Sequence, residues 1–210
     1  MQPPASGVVT APDGVSRCWW CAGDPLYESY HDEEWGRPVA DDRRLFEKLC
    51  LEGFMSGLSW LTILRKRESF RRAFAGFDFE TVASFGRPDV ERLVTDASIV
   101  RHRRKIEATV NNAARCIELV EECGSLAAYA WSFEPPARPA PADWDSLAAI
   151  TTVPEAKAMS KDLKRRGWSF VGPTTVYSFM ESMGLVDDHM AGCTLRADVE
   201  AERARFVRPG

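Results

Sequence analysis

Two pairs of residues near opposite ends of the chain have metal-ligand chemistry: Cys18 with His31, and His189 with Cys193. A structural Zn2+ prefers thiolate and imidazole ligands, four of them in a closed tetrahedral shell. The His189-x-x-x-Cys193 spacing would bring both side chains to one face of a helical turn. The chain has three histidines, and two fall at these points; the third, His102, lies in a basic run and is expected at the surface. An ion held by the four residues would join regions about 175 positions apart, and a closed shell leaves it no direct catalytic role. Cys21 is a rival ligand to Cys18. Cys18-Trp-Trp-Cys21 is formally a C-x-x-C, but the βαβ pattern that a thioredoxin-like redox site needs is missing. Cys50 and Cys116 fall in apolar helical patterns and read as core.

For distant ligands to meet, the segment between them must fold as one body, and its periodicity is helical throughout. Asp41-Asp42 can cap a helix carrying Leu45, Phe46 and Leu49 up to Leu51-Glu52, before Gly53. A second stretch follows Ser59 and continues through a basic, amphipathic run to Phe74. Asp78 starts a short helix through Val82, and Pro88 opens another. A long helix is expected from about His102 to Glu122, ended by Gly124, with Ser125 capping a short one through Trp131. Residues 134–142, rich in Pro and Ala, read as a loop. Pro154 starts a helix that ends at Gly167. No run alternates in the manner of strands, so the expected class is all-α. Residues 1–16 read as a disordered tail, 17–194 as the folded domain and 195–210 as a fraying tail.

With 210 residues, 45% of them hydrophobic, the chain fits one sizeable domain or two small ones closely joined. Neither a signal peptide nor a membrane-spanning run is seen, so a cytoplasmic location is expected. The net charge of −4 excludes a generally basic nucleic-acid binder. Binding DNA needs only a local positive surface, however, and basic residues cluster at 65–72, 101–105 and 161–166. The last cluster leads into Gly167-Trp168-Ser169-Phe170-Val171-Gly172-Pro173-Thr174-Thr175. A helix ending at Gly167, a short turn and a new helix opened by Pro173 form a hairpin over about 161–184. The free N–H groups at the second helix's start suit a phosphate oxygen, with Lys164 adding charge nearby. The alternative is an ordinary helical corner in which Gly172 serves close packing. No Lys-Ser/Thr follows Gly172, so this is not a P-loop.

Several motifs together resemble one family. Cys18, Asp24-Pro25-Leu26-Tyr27, Tyr30-His31-Asp32 and Glu34-Trp35-Gly36 look like the opening of the constitutive DNA-3-methyladenine glycosylase I family. Leu51-Glu52-Gly53, Gly57-Leu58-Ser59-Trp60, Arg101-His102-Arg103, Lys105-Ile106, Phe170-Val171-Gly172-Pro173-Thr174 and Asp188-His189 with Cys193 continue the match. The resemblance covers about Arg17 to Cys193. Trp19, where family members often carry a small residue, and Cys21 depart from the pattern.

The resemblance implies an all-α fold of the helix-hairpin-helix DNA glycosylase superfamily, with zinc on Cys18, His31, His189 and Cys193 joining the N- and C-terminal regions. It places DNA binding on the hairpin at Gly172, Pro173 and Thr174, base recognition on Trp20, Tyr27, Tyr30 and Trp60, and the base-selecting carboxylate on Glu52. The implied reaction is hydrolysis of the N-glycosidic bond of N3-methyladenine in double-stranded alkylated DNA, releasing 3-methyladenine and leaving an abasic site. Glu52 would bond the adenine edge and oppose its positive charge. Asp187 and Asp188 follow the hairpin, where superfamily members place a water-activating Asp; either could serve so, but the favoured role for Asp188 is to orient His189. Lys161 and Lys164 are the amines available to a lyase, although phosphate contact explains them more simply. A monomer is expected. The rival class is a non-catalytic, zinc-stapled DNA-binding module.

Overall fold

The computed structural model describes residues 2–210 and is mostly helical. A short antiparallel hairpin of β1 (Val8–Thr10) and β2 (Ser16–Cys18) precedes α1 (Pro25–Glu33), α2 (Asp42–Met55), α3 (Trp60–Leu64) and α4 (Arg67–Ala73). Then come α5 (Phe79–Ala83), α6 (Arg87–Thr95), α7 (Arg103–Cys123) and α8 (Leu126–Trp131). The last four are α9 (Trp144–Ala148), α10 (Pro154–Arg165), α11 (Pro173–Ser182) and α12 (Arg196–Arg205). None is long and apolar enough to cross a membrane.

The expected caps form. Asp41, Ser59, Asp78, His102 and Ser125 each accept a first-turn N–H at the start of α2, α3, α5, α7 and α8. Asp24 does the same for α1, accepting from the Leu26 and Tyr27 N–H groups. Gly124, at φ +83°, ends α7 in the left-handed region open to glycine. His102 is exposed, as its basic surroundings imply.

α2 is the central element. Every residue from Leu45 to Phe54 is buried, charged ones included, because α3, α7, α8 and α11 all pack on it. Gly53 does not end this helix, as the sequence suggested; it lies within it. A Cβ there would stand 3.2 Å from Phe170 Cβ, so glycine lets the turn between α10 and α11 dock directly on α2.

Three expectations need correction. Within the supposed N-terminal tail, β1 pairs with β2 in the register Val8–Cys18, and the Trp19 N–H donates to the Gly7 carbonyl at 2.8 Å. The C-terminal tail holds α12, anchored by fully buried Val199 and by Arg203 on Glu134, and Phe206 packs 4.5 Å from Trp131. The helix expected from Ser59 to Phe74 divides at Arg65-Lys66, where the Lys66 N–H bonds the Ile63 carbonyl and tightens the turn. Residues 134–142 form the expected loop, but it is followed by α9, which the sequence reading did not mark.

Candidate functional site

Four of the five expected recognition residues are aromatic, and the structure gathers them on one wall. Trp20 follows β2, Tyr27 and Tyr30 lie a turn apart on α1, and Trp60 opens α3. Their rings run in sequence: Trp20 to Tyr27 at 4.9 Å between centroids, Tyr27 to Tyr30 at 6.4 Å, and Tyr30 to Trp60 at 5.4 Å. They line a cavity of about 220 Å³, with Glu52 from α2 and Ser178, Glu181 and Ser182 from α11. Trp35, Met55, Trp144, Leu147 and Ile150 complete the lining. Such a cavity, mostly apolar with a few convergent polar groups, suits a flat heteroaromatic ligand.

Sequence reasoning missed Trp144, Leu147 and Ile150, which α9 and its C-terminal turn bring to the cavity. The available signal was Asp143-Trp144-Asp145-Ser146: Asp143 and Ser146 cap one another reciprocally at the helix start.

Glu52 is 2% exposed. Its Oε1 lies 2.8 Å from Lys48 Nζ and 3.4 Å from Ser182 Oγ, whereas its Oε2 is buried without a partner. The carboxylate therefore presents one bare acceptor atom. The Lys48 ammonium, one helical turn earlier, also donates to the Tyr30 hydroxyl at 2.8 Å and sits 3.0 Å from the Trp60 ring centroid. Burial pulls Lys48 down to about 8, against the pull of Glu52. The sequence reading has Glu52 bond the adenine edge and oppose its charge; the structure adds Lys48, which pairs with one oxygen of this carboxylate. Glu181 is a second carboxyl on the wall. Burial, and then neighbouring Asp188, push it well above the usual carboxylate range.

Asp187 and Asp188 do not line this cavity. Asp188 is fully buried and accepts from Arg138 and from the Tyr177 hydroxyl. The residue that orients His189 is Asp187, whose Oδ1 lies 2.8 Å from His189 Nδ1. This reverses the sequence assignment, in which Asp188 held that place. Adjacent side chains point apart where residues 187–190 run without regular structure.

Cys18, at the end of β2, His31 on α1 and Cys193 are all buried, and their ligand atoms lie within 4.8 Å of one another. His189 packs 5.0 Å from His31 between ring centroids, and its Nε2 is buried with no partner. The Cys193 sulfur lies 3.7 Å from His31 Nε2, and the proximity of the two thiols lowers Cys193 and, with burial, raises Cys18. His31 Nδ1 lies 2.8 Å from Asp32 Oδ1, so both imidazoles are oriented by carboxylates. His189 lies outside the group of three converging ligand atoms, and His189 and Cys193 sit on a loop and turn, not on the helical turn that the spacing suggested. Cys21 stays outside the cluster, donating its S–H to the Cys18 carbonyl at 3.0 Å, and burial raises it to about 12. Gly36 packs beneath this cluster: at φ +79°, a Cβ there would stand 2.8 Å from His189 Cε1. Aromatic contacts continue from His189 to Trp35 at 4.6 Å and from Trp35 to Trp20 at 5.0 Å, joining the cluster to the cavity wall.

The hairpin runs from α10 through Gly167, at φ +85°, and Phe170 to α11. Gly172 has a negative φ, and the nearest atom to an added Cβ is Thr175 Oγ1 at 3.8 Å. Close packing thus gives no reason for glycine at 172. Thr174 is exposed beside Pro173, and Lys164 is exposed without an ion-pair partner among the described residues. Arg101 and Arg104 are also exposed at the start of α7, whose His102 ring meets Phe170 of the hairpin at 6.4 Å. In contrast, Arg65, Arg67 and Arg71 are bound to Asp24, Glu34 and Glu47. Lys105 is buried and donates to the Phe54 and Ser56 carbonyls, holding the end of α2.

A family model described as methyladenine glycosylase matches residues 20–197. The DNA-3-methyladenine glycosylase 1 of Escherichia coli (strain K12) is 47% identical over 180 residues, which cover 85% of this chain and 96% of that protein. The DNA-3-methyladenine glycosylase of Haemophilus influenzae is 45% identical over 181 residues, 85% of this chain and 97% of that one. Among solved structures, a crystal structure of 3-methyladenine DNA glycosylase I shares 46% identity at a TM-score of 0.81, covering 85% of this chain and 98% of the other. A Tyr-to-Phe variant of such an enzyme in complex with 3-methyladenine shares 39% identity at a TM-score of 0.80. With an aromatic cavity, a buried carboxylate and a match over most of its length, this chain belongs to the methyladenine glycosylase family.

Proposed function

We propose that this chain is a monofunctional base-excision-repair glycosylase that hydrolyses the N-glycosidic bond of N3-methyladenine in alkylated duplex DNA, leaving an abasic site. The observation that carries this reading is the cavity lined by four aromatic rings and by Glu52, whose Oε2 has no partner, in a chain whose relatives bear that activity in their names. The damaged nucleotide leaves the stack, at a cost of a few kcal/mol that is smallest for damaged pairs. Its base enters among Trp20, Tyr27, Tyr30 and Trp60, where ring faces attract a cation by about 0.5–2 kcal/mol each. Glu52 Oε2 accepts from the adenine edge. Alkylation has made the base a good leaving group, so selection and positioning do more than activation of water. No lysine lines the cavity among the described residues, which favours hydrolysis over a lyase reaction through an amine.

The α10–α11 hairpin supplies the DNA contact as a helix-hairpin-helix element, with α11's first-turn N–H groups at a phosphate and Lys164, Arg101 and Arg104 around it. Replacing Gly172 with valine should weaken duplex binding about tenfold, about 1.4 kcal/mol, while binding of free 3-methyladenine stays unchanged. Equal loss of both in parallel fluorescence titrations would indicate misfolding instead. Lys164→Gln should lower the slope of log affinity against log salt by about one.

Zn2+ suits the donors Cys18, His31 and Cys193, which converge within 4.8 Å, and His189, packed against His31 with a buried, unpartnered Nε2, is the fourth ligand in this reading. When bound it supplies structure only, closing the chain's ends over the pocket wall. The protein is read as acting as a monomer.

A further inference from the structure

Lys48 and Glu52 form a buried ion pair i,i+4 on α2, with side chains 6% and 2% exposed. Such a pair is weak support for stability, because desolvating two charges offsets most of their attraction, and apolar residues of similar size often serve as well. Its place points to another use. Glu52 lines the cavity with one oxygen held by Lys48 and the other without a partner, while the same ammonium meets Tyr30 and Trp60, two residues of the cavity wall.

We propose that Lys48 is a positioning residue for base recognition: its ammonium fixes Glu52 Oε1, aims Oε2 into the cavity and keeps the buried carboxylate ionised. This rests on the glycosylase reading above. The surroundings leave Glu52 as the partner. Glu34 on α1 is taken by Arg67 of α4 at 2.6 Å, and Glu47 on α2 by Arg71 of α4 at 2.9 Å. Arg44 on α2 lies on the same side as these pairs, and Tyr30 offers a hydroxyl rather than a charge. On α11, Glu181 adds a carboxyl beside Glu52, and burial holds it in its neutral form. Lys48 is therefore the cation in direct contact with Glu52. Without it, a desolvated carboxylate would take up a proton more readily, and a protonated acid is a poor acceptor for a cationic base.

The test compares release of 3-methyladenine from methylated duplex DNA at about pH 6 and about pH 8, for the unchanged protein and for Lys48→Met. The unchanged protein should work at both pH values within about twofold. Lys48→Met should still release the same base at the higher pH, but lose about tenfold in rate at the lower one relative to the higher, the loss expected when a required ionisation falls about one unit above the lower pH. Lys48→Gln keeps the length and one donor while removing the charge. It should show the same displacement, and it decides the matter should circular dichroism show Lys48→Met unfolded. Variants whose profiles run parallel to that of the unchanged protein, whatever their absolute rate, overturn the inference. Unchanged protein that releases no base at either pH overturns the glycosylase reading, and this inference with it.

Discussion

Replacing Glu52 with glutamine should reduce excision of 3-methyladenine by about 10²–10³, the range seen when one preorganised polar contact to a reacting group is lost. Glutamine keeps the shape and can still accept from Lys48 Nζ, now 2.8 Å from Oε1, so the fold should survive. What disappears is the negative charge at Oε2, which faces the cavity without a partner. Alanine tests the same role more severely, because it also leaves the Lys48 ammonium buried alone. Burial already pulls Lys48 down to about 8 although Glu52 holds it up, so without Glu52 the lysine sheds its proton at lower pH still. Because its folded value is depressed below the unfolded one, Glu52→Ala should be least stable at acidic pH, where Lys48 is charged, and recover part of its stability as pH rises and Lys48 becomes neutral. Single-turnover excision assays and melting curves at two pH values measure both effects. Full release of 3-methyladenine by Glu52→Ala would remove Glu52 from the mechanism.

Removal of the metal should affect stability before it affects chemistry. Cys18 and Cys193 stand about 175 positions apart, and closing a loop of that length costs about 4–5 kcal/mol of chain entropy. An ion on both ends holds the loop closed, so chelation should lower the stability of the folded state by a similar amount. Elemental analysis should find one zinc per chain, and a strong chelator should lower the melting temperature sharply. Excision should fall with the folded fraction and no faster. The packed rings from His189 through Trp35 to Trp20 are the physical path by which an ion bound at the proposed site would support the pocket. His189→Ala should act like the chelator and be insensitive to it. A chain that purifies without metal and melts unchanged by chelator would contradict the zinc assignment.

The long helices were legible because their apolar residues recur every three or four positions and their caps are ordinary Asp, Ser and Gly signals. The cysteine and histidine cluster was legible because so few histidines exist to supply it. What escaped was polar or very short. α12 has a single buried residue, Val199, and is held by arginine contacts that leave no hydrophobic period. The β hairpin has two strands of three residues, too short for alternation to register.

Lys48 illustrates a deeper limit. A Lys and a Glu four apart read as a solvated helix face, and only the packing of four other helices around α2 shows that this face is buried. Asp187 and Asp188 are likewise indistinguishable in sequence, since their roles depend on which way an irregular loop turns each carboxylate. The four aromatic residues named through family resemblance line one cavity; periodicity alone would have assigned them to the core, and Tyr30 and Trp60 are as buried as core residues.

The measurement that tests the central claim most directly is incubation of the purified chain with methylated duplex DNA, followed by chromatography of the released bases. The expected result is catalytic release of 3-methyladenine, with abasic sites appearing in equal number and no strand cleavage of the kind a lyase leaves. DNA binding without release of any base would contradict it and identify the fold here as a binding module.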